Sequence, residues 1–303
     1  MGARTAAVEI AGVRLTSPDR LLYREAGFTK RHLADYYAAV APWMLPHVTG
    51  RPLTLVRCPA GHGACFFQRH PGRAIPKAVR RVAIAEKDDP DAVSLVVEDL
   101  SGLIALVQIG TLEIHPWGAR VDDPDRPDRI VFDLDPDPGI GFAPVVAAAQ
   151  ELRARLDALG LAGFAKTSGG KGLHVTVPIR RRHGWDEAKA FARALAGRMA
   201  EEAPDRYTTN PLKEARGGRI FIDYLRNDRG NTAVAPYSPR ARAGAPVATP
   251  LAWAEVTPAL DPAAFTIATV PDRLAGARAD PWAGMAGLQQ SLSASARRGV
   301  GLA

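Results

Sequence analysis

Apolar residues recur along this chain with two different periods, and the switches between them mark its elements. In "APVVAAAQELRARLDALG", Val145, Ala149, Leu152, Leu156 and Leu159 step by three and four, which predicts an amphipathic helix ended by Gly160. Lys30 to Trp43 predicts a second helix and Trp185 to about Ala203 a third, while "LSGLIALVQIG", apolar nearly all round, suits a buried one. Strand patterns occupy the opening "MGARTAAVEIAGVRL", then "RPLTLVRCP" and "ACFFQRH" around a glycine-containing turn, then "VRRVAIAE" and "VSLVVED". "EIHPWG" leads into an acidic, proline-containing loop at 118–129, and "RIVFDLDPDPG", "GLHVTV" and "RIFIDYL" are further strands. Beyond about residue 257 the chain is rich in Pro and Ala and reads as a tail of short helices with a frayed end. There are no internal repeats and no regular strand–helix alternation of a doubly wound sheet. The expectation is an α+β fold with a mostly antiparallel catalytic sheet, one domain over residues 1–257 with parts 1–115 and 116–257, and a helical tail at 258–303.

The polar exceptions inside these strands carry the chemistry. In "RIVFDLDP", Ile130, Phe132 and Leu134 take one face, and Val131, Asp133 and Asp135 the other, so two acids point the same way about 7 Å apart. In "RIFIDYL", Asp223 shares a face with Phe221 and Leu225. An acid in an apolar strand is costly unless paired or bound to metal. Three such acids suit two divalent ions about 3.5–4 Å apart, clamping the attacking and leaving oxygens of a phosphoryl displacement. Asp-x-Asp alone is cheap, since Asp123 with Asp125 and Asp135 with Asp137 repeat it.

"KTSGGKGLHVTV", residues 166–177, resembles a phosphate loop but runs into a strand, whereas a Walker loop opens a helix. Leu173, Val175 and Val177 face the core, so His174 and Thr176 share the polar face. Gly169 and Gly170 let backbone approach an anion, and Ser168, Lys171 and His174 would converge on a phosphate chain. Acids for metal beside a triphosphate cradle describe a nucleotidyl transferase.

Charge sharpens this reading a little. The 303 residues are 47% apolar and carry a net charge of +7 from 39 basic and 32 acidic side chains. The basic residues cluster at Arg69, His70, Arg73, Lys77, Arg80 and Arg81, at Arg180–His183, and at Lys213, Arg216, Arg219, Arg226 and Arg229. Several clusters around one site favour a nucleic-acid partner. No apolar run approaches the roughly 18 residues of a membrane span. Cys58 and Cys65 have no paired spacing, too few for a zinc knuckle or a disulfide framework, and a cytoplasmic protein is the expectation.

With these residues in hand, the chain resembles the polymerase domain of bacterial ligase D, within the archaeo-eukaryotic primase superfamily. The resemblance rests on "VFDLDP", "TSGGKGLHV", "IFIDYLRNDRGNTAVAPYSPRARAGAPVATPLAW", "RPLTLVRCPAGHGACFFQRH", "LVQIGTLEIHPWG" and "SPDRLLYREAGFTKRHLADYY", over about residues 17 to 253. It implies a primase-like core with helices flanking the sheet, residues 1–115 contacting DNA ends and 116–257 carrying the catalytic sheet. It assigns Asp133, Asp135 and Asp223 to two divalent ions, Mn²⁺ or Mg²⁺, and Ser168, Lys171, His174, His115 and Arg240 to the incoming nucleotide. Phe66 and Phe67 would stack on DNA, and Arg20 and Lys30 would bind a 5′-phosphate across a gap. Arg57, Arg216 and Arg226 would be further DNA contacts. The implied activity is template-directed addition of nucleotides, preferably ribonucleotides, at DNA 3′ ends and gaps during non-homologous end joining, with Ku and a DNA ligase as partners at the bacterial nucleoid. A DNA-end synapsis module and a metal-dependent nuclease are the competing classes.

Overall fold

The computed structural model describes residues 6–72, 75–277 and 279–303, so Arg73 of the first basic cluster lies outside the described residues. The chain falls into two compact units, each built from separated segments.

The first unit takes the chain up to Trp117, then Val234–Thr249 and Ala263–Asp280. It opens with two small hairpins, β1 (Val8–Ile10) with β2 (Val13–Leu15), and β3 (Leu21–Tyr23) with β4 (Phe28–Thr29). Helix α1 (Lys30–Val48) follows, capped by Thr29, whose hydroxyl accepts from the His32 amide. The apolar pattern predicts an end at Trp43. The helix instead runs through Pro42 and Pro46, because Val40, Ala41, Met44 and Val48 continue one buried face and that packing outweighs the lost hydrogen bonds. Strands β5 (Leu53–Arg57), β6 (Phe66–Gln68), β7 (Arg80–Ala83) and β8 (Val93–Val96) form a sheet in the order β6-β5-β8-β7. Helix α2 (Leu100–Gln108) is the buried apolar helix, and it packs on α1. The sequence then departs from expectation: "TLEIHP" is not the approach to a loop but strand β9 (Thr111–Pro116), antiparallel to β5 over most of its length.

The turn between β5 and β6 corrects the cysteine reading. It folds back so that Cys58 and Cys65 come within 4.2 Å at Cα and are joined as a disulfide. The argument for a reducing compartment from unpaired cysteines therefore does not stand. No helix among the described residues is long and apolar enough to cross a membrane.

The second unit comprises Gly118–Ala233, Pro250–Pro262 and Pro281–Ala303. Its elements are β10 (Arg129–Pro136), α3 (Phe142–Ala158), β11 (Phe164–Thr167), β12 (Leu173–Pro178), α4 (Trp185–Glu202), β13 (Tyr207–Thr208), β14 (Ile220–Asp223) and β15 (Pro250–Leu251). The six strands lie in the order β13-β14-β10-β12-β11-β15, and every pair is antiparallel except β13–β14. This is the mixed, mostly antiparallel architecture that the sequence predicts. Ile130, Phe132, Leu134, Leu173, Val175 and Val177 are fully buried, and Leu156 of α3 packs close to Val175 at Gly163. The helix-covered face of the sheet is thereby fixed, and alternation puts Asp133, Asp135, His174 and Asp223 on the other.

The tail is neither separate nor frayed. Residues 263–280 belong to the first unit and 281–303 to the second. Trp282 is buried, donates its indole N–H to the Ala165 carbonyl at 2.8 Å and meets Phe164 edge-on. Gln290 ties Ala162 and Pro178 together, and a last helix at Ala294–Gly299 is capped by Ser293. A Trp282→Ala variant should therefore lose about 3–5 kcal/mol of unfolding free energy in a urea titration. A loss below about 1 kcal/mol, the level of a surface change, would remove the tail from the core.

Candidate active site

The antiparallel registers of the second unit align four side chains in one row across the sheet. Lys166 of β11 lies opposite His174 of β12, His174 opposite Asp133 of β10, and Asp133 opposite Asp223 of β14. Directly opposed residues share a face, so the row reads cation, imidazole, acid, acid. Lys166, His174 and Asp223 are buried. His174 Nε2 lies 3.3 Å from Asp133 Oδ1, and its buried Nδ1 has no hydrogen-bond partner. Burial, then the Lys166 charge, lowers the imidazole to about 4 against the pull of Asp133, so His174 is neutral at pH 7.

Burial would raise the Asp133 carboxyl, but His174, Arg226 and Lys166 together hold it well below the usual range. Asp223 is raised, chiefly by burial and by the Asp133 charge, despite Arg226. The Arg226 guanidinium lies across both acids, 3.4 Å from Asp133 and 3.0 Å from Asp223. Asp135, one strand position further along the same face, is held by Arg216 at 2.6 Å. Arg216 itself is buried over the Phe221 ring, with its Nε lacking a hydrogen-bond partner. Two of the arginines expected at DNA thus lie against the acids.

Among the described residues, no group of three or more His, Cys, Asp or Glu side chains is gathered tightly enough to hold a metal ion. The donor chemistry nevertheless fits a hard divalent cation. Asp133 and Asp223 are cross-strand partners that need positive charge between them, which Arg226 now supplies, and Asp135 shares their face.

The glycine turn abuts this row. Ser168 N donates to Gly172 O at 3.0 Å, and Ser168 Oγ accepts from Gly172 N at 3.1 Å. Gly169 takes φ +66°, while Lys171 at the tip is exposed. A Cβ on Gly172 would sit 2.4 Å from the Leu134 carbonyl oxygen, between the two β10 acids in sequence, so the turn can close on β10 only with glycine there.

The remaining expected residues belong to the first unit. Glu113 receives His115 Nε2 at 2.7 Å, Arg240 Nε at 2.9 Å and the Ala241 amide at 2.8 Å. Burial would raise this carboxyl, but the His115 hydrogen bond and the Arg240 charge bring it down to about 2. The Phe67 ring meets His115 edge-on and is 73% exposed, and Phe66 is 48% exposed. Arg57 lies over Phe66 and spends its guanidinium on Ile109 O and Gln68 Oε1, so it supports the aromatic strand from behind.

Lys30 is only 6% exposed. Its ammonium donates to Thr16 O at 3.0 Å and Gln108 Oε1 at 2.7 Å, and burial with the Arg20 charge lowers it to about 8. Arg20 lines an open cavity of about 690 Å³ with Arg14, Thr16, Ser17 and Asp19.

Sequence reasoning missed Glu113, Lys166, Asn227 and Gln108. Glu113 stands two residues before His115 on one strand face, and Lys166 is mirrored onto His174 by the intervening turn. Both signals are readable once the strands are assigned. Asn227 replaces a strand partner for Val131, giving 2.7 Å to its N and 2.8 Å to its O, and so anchors the segment that carries Arg226. Nothing local marks Gln108, which lies 78 residues from Lys30.

A mostly antiparallel sheet with acids in its open face places the chain among polymerase-type domains, and comparison with solved structures agrees. A structure described as the polymerase domain from Mycobacterium tuberculosis Ligase D in complex with DNA superposes with a TM-score of 0.85 at 33% identity, covering 91% of this chain and 98% of that one. The profile of the family described as LigD, primase-polymerase domain, matches residues 29–282, and the chain belongs to that family. The multifunctional non-homologous end joining protein LigD of Pseudomonas aeruginosa is 41% identical over 303 residues, 99% of this chain and 36% of that protein. The bifunctional non-homologous end joining protein LigD of Bacillus subtilis is 33% identical over 264 residues, 86% of this chain and 42% of that protein. The chain thus spans about two-fifths or less of these relatives.

The Gly172 contact is directly testable. Gly172→Ala places a methyl group against backbone that cannot yield, which should cost roughly 1–3 kcal/mol and lower the melting temperature. An unchanged melting temperature would mean that the turn does not rest on β10.

Proposed function

We propose that this chain is a template-directed nucleotidyl transferase that extends DNA 3′ ends at gaps and breaks in non-homologous end joining. The observation that carries the proposal is the row Lys166–His174–Asp133–Asp223 beside a glycine turn. Membership of the LigD primase-polymerase family and likeness to a polymerase domain solved with DNA support it. In this reading Asp133, Asp135 and Asp223 hold two divalent ions, Mn²⁺ or Mg²⁺, which supply charge neutralisation at the reacting phosphate. Ser168 shapes the turn, and Lys171 at its tip meets the triphosphate. Neutral His174 donates a hydrogen bond without competing with the acids for charge. His115 and Arg240 add contacts to the nucleotide, Phe66 and Phe67 stack on bases, and Arg216 and Arg226 pass from the acids to DNA or nucleotide phosphates. Ribonucleotides are the preferred substrate by resemblance, and Ku and a DNA ligase are the proposed partners.

Asp133→Ala or Asp223→Ala should abolish primer extension with Mn²⁺ or Mg²⁺ while binding to gapped DNA is kept or tightened, since each removes negative charge near phosphate. Extension at near wild-type rate by either variant would exclude the acids from catalysis and return the chain to the class of end-binding modules.

The DNA-end reading has its own test. Gapped DNA with a 5′-phosphate should bind more tightly than its 5′-hydroxyl twin, through Arg20 and Lys30, and the difference should shrink with salt. Lys30 titrates at about 8 in the free protein, and an anion would favour its charged form. The phosphate preference should therefore be full near pH 7 and decline as the pH rises through 8, whereas Lys30→Arg should flatten that decline. Equal affinity for both ends at low salt would overturn the assignment.

A further inference from the structure

Among the described residues only two carboxylates are buried, Asp223 in the row of acids and Glu113 in the first unit. Glu113 has no acid beside it on β9, and both its oxygens are spent inside the protein. Oε2 accepts from His115 Nε2 at 2.7 Å and from Arg240 Nε at 2.9 Å, and Oε1 accepts from the Ala241 amide at 2.8 Å. It thus joins a strand to a segment 127 residues further along the chain. The Arg240 side is fixed a second time, because Arg240 N donates to Pro246 O at 2.7 Å.

Exposure separates the roles. The Glu113 side chain is 7% exposed, against 13% for His115 and 19% for Arg240, so the acid is the most deeply buried of the three and each basic group keeps some surface. Register places Glu113 and Phe67 opposite the same residue, Val56, and the Phe67 ring meets His115 edge-on at 6.5 Å. One buried carboxylate therefore anchors an imidazole and a guanidinium beside an exposed aromatic ring. A sheet that needed only to close here would be served as well by an apolar side chain, because even a well-paired buried carboxylate seldom stabilises more than apolar packing of similar volume.

We propose that Glu113 is a positioning residue that holds His115 and Arg240 as one rigid unit for the phosphates of the incoming nucleoside triphosphate. It touches no substrate itself. The inference rests on the reading above in which His115 and Arg240 contact the nucleotide.

The test is steady-state extension by the full chain on a gapped duplex, titrating one nucleoside triphosphate. Glu113→Gln keeps the shape and removes the charge. Its nucleotide KM should rise roughly tenfold, the equivalent of one hydrogen bond to a charged group, with a smaller fall in kcat. Glu113→Asp, which keeps the charge, should recover part of the loss. In an Arg240→Ala background, Glu113→Gln should add less than about twofold, because residues that act as one unit are not additive. A wild-type KM for Glu113→Gln, or an effect that simply multiplies with Arg240→Ala, overturns the proposal. If His115→Ala and Arg240→Ala themselves leave KM unchanged, the nucleotide reading fails, and this inference with it. If they raise KM and Glu113→Gln does not, only this inference fails. Should Glu113→Gln not fold, the His115→Ala, Arg240→Ala double variant carries the test. A KM rise well below the product of the single effects supports one held unit, and a full product refutes it.

Discussion

The antiparallel pairing of β10 with β12 and β14 is the constraint on which the rest of the second unit depends. Side-chain direction in a strand has period two, so a slip of one residue would exchange Asp133 with Phe132 across the sheet and bury the acids under α3. The register is pinned from the other side. Ile130, Phe132, Leu134, Leu173, Val175 and Val177 are all buried, and none can be turned outward without exposing a large apolar surface. Ordinary core packing therefore delivers an unordinary result, four titratable side chains in one row. The charges in the row then set one another. Burial and then Lys166 keep His174 neutral, and the His174 hydrogen bond with the Arg226 charge keeps Asp133 ionised.

The first unit solves the same problem with the signs arranged differently. Its buried acid is single and is met by an imidazole and a guanidinium, whereas Asp133 and Asp223 share one arginine. In both places a buried carboxylate is met by a guanidinium, and Arg226 and Arg240 are each more exposed than the acids they hold, whereas Arg216 is less exposed than Asp135. Arg226 is 43% exposed and bonds through a long side chain, so it can be drawn off by a stronger anion at modest cost. Arg240 is bound more deeply and also through its backbone. Arg226 over the acids thus differs in kind from Arg240, which is held at both its side chain and its backbone.

How much of this was legible in the sequence follows from how far each signal reaches along the chain. Alternation within "RIVFDLDP", "GLHVTV" and "RIFIDYL" identified the strands and which side chains shared a face, because both properties are local. That Asp133 lies opposite Asp223 is not local, since 90 residues separate them, and only pairing decides it. Lys166 stands in the same segment as the glycine turn, yet nothing local marks it. Its meaning comes from the turn at 168–172 mirroring β11 onto β12. Glu113 was lost with strand β9 itself, whose proline and polar residues broke the pattern. The cysteines paired through a fold-back that spacing does not announce. The tail's isolated anchors, Trp282 and Gln290, sit in sequence that composition alone describes as loose.

The proposed DNA-end pocket would rest on physics other than that of a helix N-terminus. A helix N-terminus offers backbone N–H groups to an anion, and Lys30 opens α1. Here those groups are already used. Lys30 N donates to Arg20 O at 2.8 Å, Arg31 N to Pro18 O at 2.9 Å and His32 N to Thr29 Oγ1 at 3.3 Å. Any attraction for phosphate must come from side chains instead. Lys30 supplies the argument, because its ammonium is buried against two neutral acceptors, Thr16 O and Gln108 Oε1, with the Arg20 charge opposing it. A cation held in this way is destabilised by what surrounds it, and a dianionic phosphate beside Arg20 would relieve both desolvation and repulsion. The binding energy would then be large where the free protein is least comfortable, and a plain surface lysine could not provide it.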